Sequence, residues 1–412
     1  MKILQVNNYH YLRGGSERVY FETSKLLEEN GHTVIHFSVK DTDSFDSPFK
    51  GYFVDPVTYF KSGLLNKTKN VFKFIYSRDA KNKFEELIKN EKPDIVHLHI
   101  FYGRLTSSIL PVLKKYSIPA VMTVHEYKML CPVYNFLNNE GKICEKCANS
   151  CYYHCVIHKC NKGDLFYSSV SALESYIRDK CFPYEKYIGR FIMVSKFVLT
   201  KHLQYRPQIQ NKAIQVSNFV NVEEYTPNYS PGNYYLYVGR ISKEKGILTL
   251  LKAWKHLANI ALKIVGDGDY KDQIIRYIKE NNINNVELVG YLTGKQLFEI
   301  VRNSKYMIAP SECFETFGLN IIEGFACGKP SIASKIGAIP ELVQDGINGF
   351  LFESGNVDSL VKTIKLAEDT PGEKYLEMAI SARNLVENNF NKEIYYKRLM
   401  GVYQEAILND FK

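Results

Sequence analysis

The chain has 412 residues, of which 45% are hydrophobic and 24% are charged. These proportions are typical of a soluble globular protein, and the length exceeds one ordinary hydrophobic core, so two domains are expected. No uninterrupted apolar run is long enough to span a bilayer, which argues against an integral membrane protein. The formal net charge of +9 allows an acidic partner: a nucleotide, an anionic membrane surface or a nucleic acid.

In the first half, apolar β-rich runs alternate with helical patterns. The patterns predict strands at 3–6, 33–37, 94–98 and 120–124, and helices at 16–29 and 80–90. Such alternation favours a doubly wound parallel sheet. Residues 1–8 read as the start of a strand and lack the long apolar segment of a signal peptide, so we expect a cytoplasmic protein.

The same alternation restarts in the second half. It predicts strands at 234–238, 261–265, 286–289, 306–310, 331–333 and 349–352, with helices at 246–256, 271–281, 294–302, 339–343 and around Glu323. The segment 205–232 between the halves is less regular and contains three prolines. We therefore place the boundary near Lys212, with domains over 1–212 and 213–387. Two Rossmann-like halves would enclose a cleft, and such clefts are preferred ligand sites.

The first half offers two candidate ligand contacts. Gly14 and Gly15 follow the first strand and open the first long helix, where a backbone can approach phosphate closely. The pair is not the GxGxxG fingerprint, which argues against a nicotinamide or flavin cofactor. His125 ends the strand at 120–124 and could contact a substrate hydroxyl or a developing charge. The alternative for His125 is a core histidine, a reading that fits His97 and His99.

A basic segment with interleaved apolar residues lies between the second strand and the next helix. Its members are Lys61, Lys67, Lys69, Lys73, Arg78, Lys81 and Lys83, with Phe60, Leu64, Leu65, Val71, Phe72, Phe74 and Ile75. This mixture is used by helices that lie on a membrane surface. A solvated helix with its apolar side toward the core is the favoured interpretation. Nucleic-acid binding ranks lower, because no RNA- or DNA-binding module accompanies the charge.

A cysteine-rich insertion spans 131–181. Cys144 and Cys147 form a CxxC pair, and Cys155 and Cys160 follow closely, with Cys131 and Cys151 as further candidates. Thiolates at such short intervals hold structural zinc, so we predict a zinc site at Cys144, Cys147, Cys155 and Cys160. Free thiols and an iron–sulfur cluster remain alternatives.

The second half carries charged residues at two strand-to-helix connections. Arg240 and Lys245 follow the strand at 234–238, and two cations there would neutralise a diphosphate. Glu315 follows the strand at 306–310, and Glu323 is expected about two turns inside the next helix. Ligands of open parallel sheets bind at this edge, and carboxylates accept hydrogen bonds from sugar hydroxyls. These residues therefore predict a site for a sugar nucleotide.

The order and spacing of these motifs resemble the retaining glycosyltransferases of family 4, including bacterial enzymes of surface-polysaccharide assembly. The resemblance covers nearly the whole chain. It rests on Gly14-Gly15-Ser16-Glu17, His125-Glu126-Tyr127, Gly239-Arg240-x4-Lys245-Gly246, Val265-Gly266-Asp267-Gly268, Phe314-Glu315-Thr316-Phe317-Gly318-Leu319, Glu323 and Gly337-Ala338-Ile339-Pro340-Glu341. It implies an α/β GT-B fold, two Rossmann-like domains facing each other across a cleft, with 388–412 completing the first domain.

The resemblance also implies a role for each site residue. Arg240 and Lys245 would bind the donor diphosphate together with backbone near Gly15, and Glu323 would hold the ribose. The transferred sugar would meet Glu315, His125 and backbone groups of Phe317, Gly318 and Leu319. His125 would also help to stabilise the transition state. No catalytic metal is needed, because the cations and a helix dipole stabilise the departing diphosphate.

These inferences predict a glycosyltransferase that moves a hexose or N-acetylhexosamine from a nucleotide sugar, with UDP favoured, to an acceptor hydroxyl. The expected acceptor is a lipid-linked glycan, which would place the enzyme at the inner membrane face. One alternative keeps the fold as a sugar-nucleotide epimerase or a glycogen-synthase-like enzyme. Another is a metal-stabilised interaction module without catalytic activity.

Overall fold

The computed structural model describes residues 1–56 and 64–409, without the side chains of 64–69 and 409. The chain divides into two compact units, Met1–Val216 with Tyr396–Lys412, and Ser217–Tyr395. Each unit contains a six-stranded sheet with parallel pairing between neighbouring strands. The α/β class predicted from the alternating patterns is confirmed.

The sheet of the first unit has the order β2-β1-β3-β4-β5-β6. Its strands are β1 Lys2–Val6, β2 Thr33–Phe37, β3 Ile95–Leu98, β4 Ala120–Val124, β5 Arg190–Met193 and β6 Ala213–Gln215. The helices between them are α1 Gly15–Glu29, α2 Leu64–Ile75, α3 Arg78–Glu91, α4 Leu110–Lys115, α5 Tyr153–Ile157, α6 Leu165–Cys181 and α7 Lys196–Tyr205. Strand β6 pairs with β5, so residues 213–215 lie in the first unit.

The C-terminal helix α15, Lys392–Asn409, enters the first unit at Tyr396. The Tyr396 hydroxyl lies 2.8 Å from His32 Nε2, and the Tyr403 hydroxyl lies 2.8 Å from His97 Nδ1. Arg190 also donates to Glu405 at 3.1 Å. These polar contacts, together with the buried Leu399, Val402 and Tyr403, hold the helix on the sheet.

The sheet of the second unit has the order β12-β11-β10-β7-β8-β9. Its strands are β7 Tyr234–Val238, β8 Ala261–Val265, β9 Val286–Gly290, β10 Met307–Ala309, β11 Ser331–Ser334 and β12 Gly349–Phe352. Its helices are α8 Ile247–Trp254, α9 Lys271–Glu280, α10 Gly294–Arg302, α11 Leu319–Ala326, α12 Ile339–Leu342, α13 Val357–Glu368 and α14 Gly372–Asn389. A buried cluster around Trp254, Tyr235 and Tyr306 packs one sheet face against α8, α13 and α14.

Part of the basic segment forms helices α2 and α3. Ile75 is buried and Phe72 is 74% exposed, whereas Phe60 and Lys61 lie outside the described residues. Within the described part of the chain, no helix combines the length and apolar character needed to cross a membrane.

Candidate functional site

The strand order of the second sheet reverses between β7 and β10, which are direct neighbours. Ligands of open α/β sheets bind outside the carboxyl ends of strands at such a switch point. The loop after β7 carries Arg240 and Lys245, and the loop after β10 carries Glu315. Both predicted charged loops therefore lie at one edge of one sheet.

The structure brings Lys245 and Glu315 together. Lys245 Nζ lies 2.6 Å from Glu315 Oε1, and the Ser311 hydroxyl donates to the same carboxylate oxygen. Burial opposes the charged form of Lys245, but Glu315 outweighs it and raises the pKa of the ammonium. Burial likewise opposes ionisation of Glu315, yet Lys245 and Ser311 hold the pKa of this carboxyl below its ordinary range. Both groups are therefore charged at neutral pH.

Arg240 does not join this pair directly. Its guanidinium donates to Glu244 at 2.8 Å, and its side chain is 65% exposed. The Tyr237 hydroxyl donates to the Arg240 carbonyl at 2.8 Å and holds the backbone of the loop. The site thus has one anchored cation, Lys245, and one exposed cation, Arg240.

Helix α11 begins at the same edge. Gly318 precedes it with φ +125°, and no side chain caps its first turn, so backbone N–H groups face the edge where phosphate binds well. Glu323 is the fifth residue of α11, one turn inside rather than the two turns we predicted, because the loop continues to Gly318. The Phe317 ring is buried and packs against Phe390. Only its backbone is available to a ligand.

Asn320 and Ser311 also belong to this edge, although neither was predicted from the sequence. The Asn320 side chain donates to the Val238 carbonyl at 3.1 Å and joins α11 to the end of β7. The Ser311 carbonyl accepts from the hydroxyls of Ser334 and Ser354 at 2.7 and 2.9 Å. Ser311 directly follows the predicted strand at 306–310 and precedes Glu312, and Asn320 lies at the helix start three positions before Glu323. These positions are the signal that could have identified them.

Close backbone crossings fix the shape of this edge. A Cβ at Gly246 would lie 1.8 Å from the Pro310 carbonyl oxygen, and one at Gly266 would lie 1.9 Å from the Gly239 carbonyl oxygen. A Cβ at Gly337 would come within 2.5 Å of the Glu315 backbone nitrogen. The loops after β7, β8, β10 and β11 therefore touch through bare backbone, which only glycine permits.

The first unit has polar residues at the carboxyl ends of β1, β3 and β4. Gly15 is the first residue of α1, as the Gly-Gly motif predicts. His125 follows β4, and its Nε2 lies 2.9 Å from His99 Nδ1. Burial lowers the pKa of His125 to about 3, so its ring is neutral at pH 7. His97 and His99 are fully buried and hydrogen-bonded, as expected for core histidines.

Two asparagines and one glutamate near this edge were also missed. Asn7 accepts from Ile100 N at 3.1 Å and Asn8 accepts from Leu105 N at 3.2 Å, which ties the end of β1 to the loop after β3. Burial raises the pKa of Glu126 to about 7. A run of asparagines that ends an apolar strand is the sequence signal for such loop-fixing residues.

The zinc prediction is not supported. Across residues 1–56 and 64–409, no group of three or more His, Cys, Asp or Glu side chains is placed to hold a metal ion. All nine cysteines, including Cys131, Cys144 and Cys151, are free of disulfide bonds. The thiol of Cys155 hydrogen-bonds Cys160, which raises the pKa of Cys155 and lowers that of Cys160. Burial raises the pKa of Cys147 to about 12.

Charged contacts anchor the cysteine-rich insertion. Glu145 accepts from Lys201 at 2.8 Å and from the Tyr205 hydroxyl at 2.7 Å, both on α7. Glu174 of α6 is buried and pairs with Lys128 at 2.8 Å and Arg178 at 3.5 Å. The insertion is therefore tied to the rest of the first unit through Lys128, which precedes it, and through Lys201 on α7.

Comparison with known proteins places these features in context. Residues 13–224 match the family model described as Glycosyltransferase Family 4, and residues 223–385 match the one described as Glycosyl transferases group 1. N-acetyl-alpha-D-glucosaminyl L-malate synthase of Bacillus anthracis is 26% identical over 417 residues, which covers 96% of this chain and 95% of that protein.

One further relative matches less than half of the chain, and one solved structure superposes on nearly all of it. Lipopolysaccharide 1,2-N-acetylglucosaminetransferase of Salmonella typhimurium is 32% identical over 190 residues, 43% of this chain and 48% of that enzyme. The crystal structure of Anabaena HepE in complex with UDP-glucose superposes with a TM-score of 0.67 at 18% identity, over 98% of this chain and 99% of that one. At that identity the superposition establishes a shared fold.

Proposed function

The chain belongs to glycosyltransferase family 4 with a GT-B fold of two Rossmann-like domains, and from that membership we propose that it moves a hexose or N-acetylhexosamine from a UDP-sugar to an acceptor hydroxyl with retention of anomeric configuration. The observation that carries this proposal is the pairing of Lys245 with Glu315 at the switch point of the second sheet. A cation and a carboxylate side by side suit a ligand that joins a diphosphate to a sugar.

The diphosphate is bound by cations and by backbone. Lys245 is held at the edge by its 2.6 Å contact, and the exposed Arg240 is free to turn its planar guanidinium toward phosphate oxygens. The N–H groups at the start of α11, from Gly318 and Leu319, add favourable dipoles, and the backbone near Gly15 offers the same in the first unit. Charge that grows on the departing UDP is stabilised by these groups.

Carboxylates and an imidazole bind the sugar portions. Glu323, one turn inside α11, accepts hydrogen bonds from the ribose hydroxyls. Glu315 accepts from hydroxyls of the transferred sugar, with the Phe317 backbone beside it. His125, neutral at pH 7, contacts a sugar hydroxyl and stabilises the transition state.

The proposed acceptor is a lipid-linked glycan of capsule, exopolysaccharide or O-antigen assembly, met at the cytoplasmic membrane face. Two observations support it: the exposed Phe72 beside Lys73 on α2, and the lipopolysaccharide acceptor in the name of the Salmonella relative. Flotation with phosphatidylglycerol vesicles should recover the protein with the lipid. Absence from the lipid fraction, with full turnover on soluble acceptors, would refute the membrane part.

A donor screen tests the reaction itself. The purified chain is incubated with UDP-, GDP-, ADP- and TDP-sugars, and nucleotide release is measured with and without an acceptor extract. We expect slow UDP release from one UDP-sugar without acceptor, because transferases hydrolyse their donors slowly, and faster release with acceptor. A changed sugar in the recovered donor, without release, would instead identify an epimerase.

Substitution of Lys245 separates binding from turnover. Lys245→Ala should lower kcat by about 100-fold, because the ammonium stabilises charge that develops only as UDP departs. The KM for the donor should change less. Lys243→Ala, two positions earlier in the same loop, is the matched control and should keep wild-type kinetics. A wild-type kcat in Lys245→Ala would remove this lysine from the mechanism.

A further inference from the structure

One face of the first sheet carries a polar layer across three neighbouring strands. Gln5 on β1 is in register with His97 on β3, and His97 is in register with Val121 on β4. Because alternate residues share a face, His99, Thr123 and His125 lie on that same face. Gln5, His97 and His99 are 0% exposed. Both ring nitrogens of His97 and of His99, and the Gln5 Oε1 atom, have hydrogen-bond partners, whereas the Gln5 Nε2 atom has none within the described part of the chain.

The layer contains two separate chains of hydrogen bonds. In the first, Gln5 Oε1 lies 2.7 Å from His99 Nε2, and His99 Nδ1 lies 2.9 Å from His125 Nε2. In the second, the Tyr403 hydroxyl lies 2.8 Å from His97 Nδ1, and His97 Nε2 lies 2.7 Å from the Thr123 hydroxyl. The rings of His97 and His99 stack with centroids 4.3 Å apart, yet only His99 reaches His125.

The donor and acceptor of each hydrogen bond between Gln5, His99 and His125 follow from the Gln5 amide at the end of the series. An amide oxygen only accepts, so the His99 Nε2 atom that faces Gln5 must carry the hydrogen. A neutral imidazole has one N–H, so His99 Nδ1 is an acceptor. His125 Nε2 must then carry its own hydrogen and donate it to His99. Burial lowers the pKa of both rings, so each is neutral at pH 7.

We propose that Gln5 and His99 are positioning residues that fix His125 in its Nε2–H tautomer. The lone pair of His125 Nδ1 then accepts a hydrogen bond from a substrate hydroxyl. This inference rests on the proposed role of His125 in sugar transfer. The opposite tautomer would present an N–H to the same hydroxyl and lose the acceptor.

Replacement of Gln5 by an apolar residue of similar volume tests whether the hydrogen bonds from Gln5 through His99 set the tautomer of His125. Gln5→Met removes the acceptor for His99 Nε2–H, so His99 should change to its Nδ1–H form and donate to His125. His125 should then change to Nδ1–H. Nitrogen-15 spectra of the full chain with labelled histidine distinguish the two tautomers without any donor present. Tyr403→Phe is the matched control, because it breaks a bond to His97 in the same layer and should leave His125 as Nε2–H.

Turnover gives the second readout, measured as UDP release from the donor selected by the screen. Gln5→Met should lower kcat by about 10- to 100-fold with little change in KM, whereas Tyr403→Phe should stay within about twofold of wild type. The proposal is overturned by His125 Nδ1–H in the wild type, by an unchanged tautomer in Gln5→Met, or by equal losses of kcat in both variants. Failure of the proposed function is separate: the wild type would release no nucleotide, while the tautomers remain measurable.

Discussion

Glu315 and Lys245 are seventy positions apart in the chain, yet they form the tightest charged contact at the sheet edge where the loops after β7 and β10 meet. A pair this sheltered from solvent is stronger than an exposed one, because water screens it less. Each partner also keeps the other ionised, since Glu315 raises the pKa of Lys245 and Lys245 lowers the pKa of Glu315. Removing either one should therefore change the charge state of the other.

Glu315→Gln tests this coupling. The neutral amide does not stabilise the Lys245 ammonium electrostatically, so the pKa of Lys245 should fall. The value of kcat/KM for the donor should drop by about 100-fold. The measurement is a pH profile of UDP release. Glu299→Gln on the exposed face of α10 serves as the control and should retain the wild-type profile. An unchanged profile in Glu315→Gln would show that the pair has no part in turnover.

The buried ion pairs of the insertion predict a large effect on stability. Glu174→Gln leaves Lys128 and Arg178 buried with less compensating charge, because both pair with this carboxylate. We expect a loss of about 3–5 kcal/mol in the free energy of unfolding. Glu140→Gln, which removes an exposed pair with Lys142, should cost far less, because water screens that pair. Urea titrations compare the two, and equal losses would contradict the role assigned to Glu174.

Among the elements, two loops of the second unit depend on glycine in distinguishable ways: the loop after β7 contains Gly246, and the loop before β12 contains Gly346. Gly246 has φ +71° and no room for a Cβ, whereas Gly346 has φ +72° and nothing within 4 Å. Gly346→Ala should cost about 1 kcal/mol from backbone conformation alone. Gly246→Ala should cost clearly more and weaken donor binding, because the Pro310 carbonyl must move. Equal unfolding midpoints for the two variants would contradict the close crossing.

The pattern of apolar runs predicted most elements well. Strands at 33–37, 120–124, 234–238, 261–265 and 349–352 match the structure residue for residue, since each is a run of buried β-formers ended by a turn or polar residue. Strands β5 and β6 were missed. They have four and three residues, and β6 is only half-buried, so it has little periodicity to detect.

The placement of candidate residues was predictable where a strand end and a charged residue coincide in sequence. That rule put Lys245, Glu315 and His125 in the connections after β7, β10 and β4, where the structure has them, and their roles stay predictions. The histidine layer escaped it, because Gln5, His99 and His125 meet through strand register, which a single sequence does not reveal. The zinc prediction was unsupported for a related reason. Short cysteine spacing does not specify where the thiols point, and across the described residues no three such side chains are placed to hold a metal ion.

For the whole molecule, buried histidines predict the response of stability to acid. Burial lowers the pKa to about 4 for His10 and His202, and to about 3 for His36, His97 and His125. The unfolded chain therefore binds protons first as pH falls below about 6.5, and stability is lost from there downward. The pKa of Glu126 is raised to about 7, so the folded chain binds this one proton before the unfolded chain does. That proton opposes the loss of stability caused by the histidines.

Unfolding measured between about pH 7 and about pH 5 should show a falling free energy, by about 1.4 kcal/mol per pH unit for each net proton taken up on unfolding. His202→Gln should reduce that slope, because one buried imidazole no longer takes up a proton on unfolding. A flat profile over this range would mean that the histidines are not held neutral in the folded protein.

The proposed sugar transfer requires a nucleoside-diphosphate site at the edge formed by β7, β10 and α11. Calorimetric titration of the purified chain with UDP measures that site directly. We predict saturable binding to wild type, at least about tenfold weaker binding in Glu323→Ala, and unchanged binding in Glu280→Ala on the exposed end of α9. No heat of binding for UDP or any other nucleoside diphosphate in the wild type, or equal affinity in Glu323→Ala, would contradict it.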